Sequence, residues 1–188
     1  LPKMTRLIYV SSDHVFGGDG IYHEHSPPCP ISVYGQTRVA AEQLVLKRPE
    51  TLVIRTGLAI GASPNGRTGH LDWIRYRTHH KLPITIVEDE YRSTVWVDDL
   101  AERIMKLSHS RETGIRHVTA THAISRVTLA QYLMEGLGLE GCFYRESRHQ
   151  RAVPHLGKVE LASIYRGELA HPLSSVLDRP QVISGNIQ

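Results

Sequence analysis

"RLIYVSS", residues Arg6–Ser12, is a short apolar run rich in β-formers, and it decides the fold. A continuous run of this kind suits a buried strand of a parallel sheet. "GGDG" (17–20) breaks it, and "SPPCP" (26–30) keeps the chain extended. From Val33 to Lys47 the pattern is helical, until Pro49 ends it. "TLVIRTGLAIG" (51–61) is the next strand. Strand, helix and strand in that order make a β-α-β unit, whose crossover should be right-handed.

Outward from this unit, "HLDWIRYRTHHK" (70–81) can be helical, with Leu71, Ile74 and Thr78 on one side. "LPITIVED" (82–89) offers a short strand. "VDDLAERIMKLSHS" (97–110) predicts a helix capped by Asp98, with Leu100, Ile104 and Leu107 at helical spacing. "GIRHVTA" (114–120) predicts a strand, and "TLAQYLMEGLG" (128–138) a helix capped by Thr128. Residues 157–177 are weakly patterned and suggest two short helices, and 179–188 a fraying tail. The fold class is therefore α/β. The expectation is the C-terminal part of a Rossmann-like doubly wound parallel sheet over residues 1–62. A mixed α/β remainder with a substrate-binding portion would follow over 63–178.

The 188 residues suffice for one domain with a real core. A net charge of +3 is mild, and the basic residues are scattered, so no nucleic-acid partner is expected. No apolar run approaches the roughly 20 residues of a membrane span, and no signal peptide is visible. Cys29 and Cys142 lack C-x-x-C spacing, so a cytoplasmic location without disulfides is expected. The twelve histidines do not fall at ligand spacings, and no metal is expected.

Three features carry chemistry. Ser11, Ser12 and Asp13 end the first strand, where open α/β sheets bind ligands. Tyr34 begins the next helix, and Arg38 lies four residues on, on the same face. A free phenol has a pKa near 10, and a nearby cation favours the phenolate. A serine hydroxyl can bond a substrate oxygen as charge changes there. Taken singly, each feature reads more readily as turn chemistry or surface decoration than as catalysis.

"YVSSDHVFGGDGIYHEHSPPCPISVYGQTRVAAEQLV" (9–45) resembles the extended short-chain dehydrogenases/reductases, closest to the dTDP-4-dehydrorhamnose reductase group. Ser12, Asp13, Val15, Phe16, Gly18, Tyr22, Glu24, Pro30, Tyr34, Gly35, Thr37 and Glu42 carry the match. "VIRTGLAIG", "RSTVWVDDLA" and "GIRHVTATHAISRVTLAQYL" follow in the same order. The resemblance implies an NAD(P)-dependent oxidoreductase that reduces a keto-sugar carried on a nucleotide. Tyr34 would exchange the proton, Ser12 would polarise the oxygen, and Asp13 would order the substrate or the proton path. Arg38 would bind the nicotinamide ribose. Ser11, Tyr34, Arg38, Arg55, Thr56 and Gly57 would line the NAD or NADP site, and His14, Val15, Phe16 and Leu58 the substrate. A homodimer is compatible with the resemblance.

Departures qualify it. Arg38 replaces the family lysine, His14 a tyrosine, and Leu58 a tryptophan that lines the sugar site. No glycine-rich dinucleotide fingerprint opens the chain. The resemblance places that half before Leu1, about 100 residues at roughly 30 per βαβ unit, so weak dinucleotide binding by this polypeptide alone is expected. Two other readings stay open: a non-catalytic regulatory or binding protein on the same fold, and a nucleotide-sugar epimerase or dehydratase.

Overall fold

The computed structural model describes residues 5–178. Strand β1 (Leu7–Val10) runs into a 3-10 turn at Asp13–Val15, and β2 (Gly20–Tyr22) follows. Helix α1 (Val33–Val45) and strand β3 (Thr51–Thr56) complete the unit read from the sequence. Ser32 starts α1, its side chain accepting from the Gly35 N–H at 3.1 Å. Every residue of β3 is buried, because it is the middle strand. Next come β4 (Leu58–Ile60), α2 (His70–His79), β5 (Thr85–Val87), β6 (Tyr91–Trp96), α3 (Val97–His109) and β7 (Gly114–Val118). The last elements are β8 (Ala123–Ser125), α4 (Arg126–Gly136), β9 (Tyr144–Glu146) and β10 (Lys158–Leu161).

The first sheet has the order β1-β3-β7, all parallel. Leu52 and Ile54 pack with Leu100 and Leu107 of α3, while the alternate residues face the other way. The second sheet has the order β2-β10-β6-β4, again parallel, with β8 antiparallel on β6. Strands β5 and β9 form a parallel pair of their own. The fold is thus the expected α/β arrangement of parallel strands with helices. Its sheets draw on both sides of residue 62, since β2 joins the second sheet and β7 the first.

Thr51–Gly61 is not one strand. At Gly57 the backbone passes so close to Ser93 that a Cβ would lie 2.0 Å from its carbonyl oxygen. Only glycine permits that approach. The chain leaves the first sheet there and pairs as β4 with Thr94–Trp96.

Other expectations shift. Residues 157–177 hold strand β10 and a three-residue 3-10 turn at Glu168–Ala170, not two helices. The 82–89 strand shrinks to Thr85–Val87. Ser125, not Thr128, caps α4, its hydroxyl accepting from the Thr128 N–H. Asp98 sits in the first turn of α3, where it favours the helix dipole without capping it. The expected tail at 179–188 lies outside the described residues. Among the described residues no helix is long and apolar enough to cross a membrane.

Candidate active site

Ser11 continues the β1 ladder, its N–H donating to the Ile54 carbonyl at 2.7 Å. Ser12 then caps the 3-10 turn, and its hydroxyl accepts from the His14 N–H at 3.3 Å. The same hydroxyl donates to Asp13 Oδ1 at 3.1 Å. Helix α1 begins directly against this turn: a Cβ on Gly35 would lie 2.1 Å from the His14 carbonyl oxygen. That contact sets Tyr34 beside His14, ring edge to ring face, with centroids 5.1 Å apart.

Tyr34 is 45% exposed, so part of the residue is open to a ligand. One turn on, the Arg38 guanidinium lies over the Tyr34 ring, 4.7 Å from its centroid. Its Nη1 donates to the Tyr9 hydroxyl of β1 at 2.9 Å. The Tyr9 bond and the neighbouring Tyr34 raise the guanidinium's proton affinity further, so this cation is permanent.

Asp13 is fully buried and does not face the crevice. Arg92 of β6 takes both of its oxygens, Nε to Oδ2 at 2.6 Å and Nη2 to Oδ1 at 2.5 Å. The third nitrogen, Nη1, reaches His14 Nε2 at 3.2 Å and Glu90 Oε1 at 3.4 Å. Glu90 Oε2 meets His155 Nδ1 at 2.8 Å. Arg126 adds a second guanidinium, its Nη1 3.4 Å from His70 Nε2. Burial, then the charge of Arg92, pulls the His14 pKa below the usual imidazole value. Burial, then Arg126, pulls His70 down to about 4.

The structure thus brings Ser12, His14, Tyr34 and Arg38 together at the carboxyl end of β1. Other sequence candidates turn inward. Arg55 is 1% exposed and forks onto Glu42, Nη2 to Oε2 at 2.7 Å, with its guanidinium over Phe16. It faces α1, not the crevice, because side chains alternate along β3. Ser11 donates to the same Glu42 at 2.5 Å. Val15 and Phe16 have no exposed surface, and Phe16 stacks on Tyr22. Leu58 packs against the core that contains Ile60 and Trp96. Thr56 is buried at the end of β3, its hydroxyl without a partner among the described residues.

Arg92, Glu90, Arg126 and His155 were not singled out from the sequence. The available signal was an arginine inside the β-forming run "YRSTVW". A charge in a buried strand has to be paired. Its partner, however, lies 79 residues away.

Known proteins extend the picture. The family model described as "RmlD substrate binding domain" matches residues 3–179. The spore coat polysaccharide biosynthesis protein SpsK of Bacillus subtilis is 31% identical over 139 residues, 72% of this chain and 48% of its own length. A dTDP-4-dehydrorhamnose reductase of Mycobacterium tuberculosis is 31% identical over 148 residues, 72% of this chain and 47% of its own. The crystal structure of dTDP-4-dehydrorhamnose reductase from Bacillus anthracis in complex with NADP superposes with a TM-score of 0.76 at 23% identity, covering 91% of this chain and 62% of that one. MoeE5 in complex with UDP-glucuronic acid and NAD gives 0.68 at 24% identity, covering 86% and 56%. The chain spans about half the length of the curated relatives it matches.

Proposed function

The chain belongs to the RmlD substrate binding domain family, and on that footing we propose that it is part of an NAD(P)-dependent reductase of the nucleotide-sugar type. Tyr34 is the group that gives a proton to the carbonyl oxygen of a keto-sugar. The observation that carries this reading is the exposed Tyr34 phenol, set between Arg38 and the Ser12–His14 turn at a strand end. Relatives named as dTDP-4-keto-6-deoxy-D-glucose reductase and dTDP-4-dehydrorhamnose reductase support the substrate class.

The residues present fit a nicotinamide cofactor in one respect. Tyr34 and Arg38 offer a phenol on a partly exposed residue and a fixed cation beside it, suited to ribose hydroxyls. When bound, the nicotinamide supplies the hydride that reaches the carbonyl carbon. Tyr34 supplies the proton that the resulting alkoxide needs. Arg38 stays charged at every working pH, so it favours the phenolate that remains but cannot relay protons itself. Ser12 can turn its hydroxyl hydrogen from Asp13 to the substrate oxygen at little cost, because Arg92 still bonds both Asp13 oxygens.

The test is cofactor oxidation by the full-length protein with dTDP-4-keto-6-deoxyglucose. Tyr34→Phe should lower kcat by about 10²–10⁴ with the fold intact. No oxidation by the wild type, or full activity in the variant, would overturn the reading. A non-catalytic binding role is the second reading. One observation favours it: Arg38 is tied to Tyr9 where the family carries a lysine.

A further inference from the structure

Arg55 and Arg92 are buried, Arg126 is half-buried, and the first two are already occupied. Arg55 turns its Nε–Nη2 edge onto Glu42 at 3.0 and 2.7 Å. Arg92 turns the same edge onto Asp13 at 2.6 and 2.5 Å. That edge carries two parallel N–H groups and matches a pair of oxygens. In Arg126 it is free. Nη1, on the opposite side of the guanidinium, lies 3.4 Å from His70 Nε2, and the backbone N–H donates to the Glu90 carbonyl at 3.0 Å. Nε and Nη2 have no partner among the described residues, and unlike Arg55 Nη1 neither is shut off from solvent. Glu90 does not supply the missing oxygens, because Arg92 and His155 hold one each. Burial lowers the proton affinity of Arg126, Glu90 offsets this and Arg92 adds to it, yet a guanidinium stays charged at working pH. A half-buried cation with an open fork and no bonded anion asks for one from outside the chain.

We propose that the Nε–Nη2 edge of Arg126 binds a phosphate group of the ligand. On the reductase reading, on which the source of that phosphate rests, it belongs to the diphosphate of the nucleotide sugar. The site lies beyond Arg92 as seen from Tyr34. Tyr34 meets His14, His14 meets Arg92, and Arg92 meets Glu90, whose carbonyl holds the Arg126 backbone. A sugar whose carbonyl sits at Tyr34 carries its phosphates away from that carbonyl, and this order of residues provides a cation there. Arg126 and His70 are each the first residue of a helix, α4 and α2, where the helix dipole adds to the attraction for negative charge. The recess they border with Trp73 and Leu129 holds only about 10 Å³, room for little more than one atom, so the ligand lies across its mouth.

Titration calorimetry on the full-length protein tests this with dTDP, thymidine and inorganic phosphate. The wild type should bind dTDP about 10- to 100-fold more tightly than thymidine, the range for charge-assisted hydrogen bonds. Arg126→Met should lose about tenfold in dTDP affinity and leave thymidine unchanged. Arg126→Lys should regain only part, because an ammonium has no fork. In turnover, Arg126→Met should raise KM for dTDP-4-keto-6-deoxyglucose about tenfold and leave kcat nearly as it was. A folded Arg126→Met that binds dTDP like the wild type overturns the proposal. If that variant does not fold, Arg126→Lys with full dTDP affinity overturns it instead. Inorganic phosphate binding as tightly as dTDP overturns the nucleotide as the source. If the wild type shows no turnover but its dTDP affinity depends on Arg126, the reductase reading fails and the phosphate site stands. Turnover together with a dTDP affinity that Arg126→Met does not move sinks the site alone.

Discussion

Arg55 and Arg92 make the same bond in two different places. Arg55 forks onto Glu42, 13 residues away in sequence, inside one βαβ unit. Arg92 forks onto Asp13, 79 residues away, and so joins the second sheet to the end of β1. Both pairs are almost fully shielded from solvent. What differs is the spare nitrogen. Arg55 Nη1 has no partner among the described residues, whereas Arg92 Nη1 meets His14 and Glu90. A buried pair adds little net stability over an apolar pair of equal size. Its value lies in what else it orients, and by that measure only Arg92 reaches the candidate site.

The largest expected effect follows from breaking the second pair. Arg92→Leu leaves Asp13 charged and unpaired in the interior, which should cost about 3–5 kcal/mol of stability. It should also abolish measurable turnover in the fraction that stays folded, because Ser12 then remains bonded to Asp13 and His14 loses its contact with Arg92. Denaturant unfolding and activity per folded molecule separate the two losses. Stability loss without any further loss of activity would place Arg92 on the same footing as Arg55.

Breaking the first pair should cost a similar amount in stability. Glu42→Gln should destabilise by about 3–5 kcal/mol, and the double change Glu42→Leu with Arg55→Leu should recover most of it. The corresponding double change at Asp13 and Arg92 should recover stability but not activity. If both doubles restore activity, the distinction between the pairs collapses.

A smaller effect comes from the histidines beside each pair. Burial holds His117, the strand partner of Arg55, down to about 4, and holds His70, near Arg126, down to about 4 as well. In the unfolded chain both titrate near 6.5. Between those values the unfolded state binds more protons, so stability is fully present above pH 6.5 and falls as pH drops toward 4. The slope for each histidine is at most about 1.4 kcal/mol per pH unit. Urea unfolding across that window should show it, and His117→Phe should make the curve shallower. An unchanged curve in that variant would mean His117 is not the titrating group.

The first sheet was legible because its signals are local. An apolar run, a proline-rich loop, a helical period and Pro49 fix β1, α1 and β3 without reference to the rest of the chain. The second sheet was not, because β2, β4 and β8 span three residues each and exist only through partners far away in sequence. Gly57 shows the same limit. As a letter it could be a turn or a flaw in a strand, and only the approach of Ser93 makes it a crossing point. In the candidate site, Tyr34, Arg38 and Ser12 were readable from spacing and resemblance. Arg55 was named through the resemblance alone, and its carboxylate partner Glu42 lies on α1. Arg92 left only an anomalous charge in a strand, with no means of naming Asp13 as its partner.

Arg38 supplies a third arginine against which the other two can be measured, and the smallest effect. Among the described residues it has no carboxylate partner; its contacts are the Tyr9 hydroxyl and Tyr34. Arg38→Lys keeps the charge but loses the flat surface that lies on the ring. Stability should fall by less than about 1 kcal/mol, since the partners at stake are neutral tyrosines that a lysine still reaches in part. Activity should fall about threefold, and in a Tyr9→Phe background the arginine and lysine forms should become equal. That equality would show that Tyr9 is what makes arginine workable where the family uses lysine. A tenfold rise in Arg38→Lys would say the opposite: that the guanidinium, tied back to β1, is an impaired substitute.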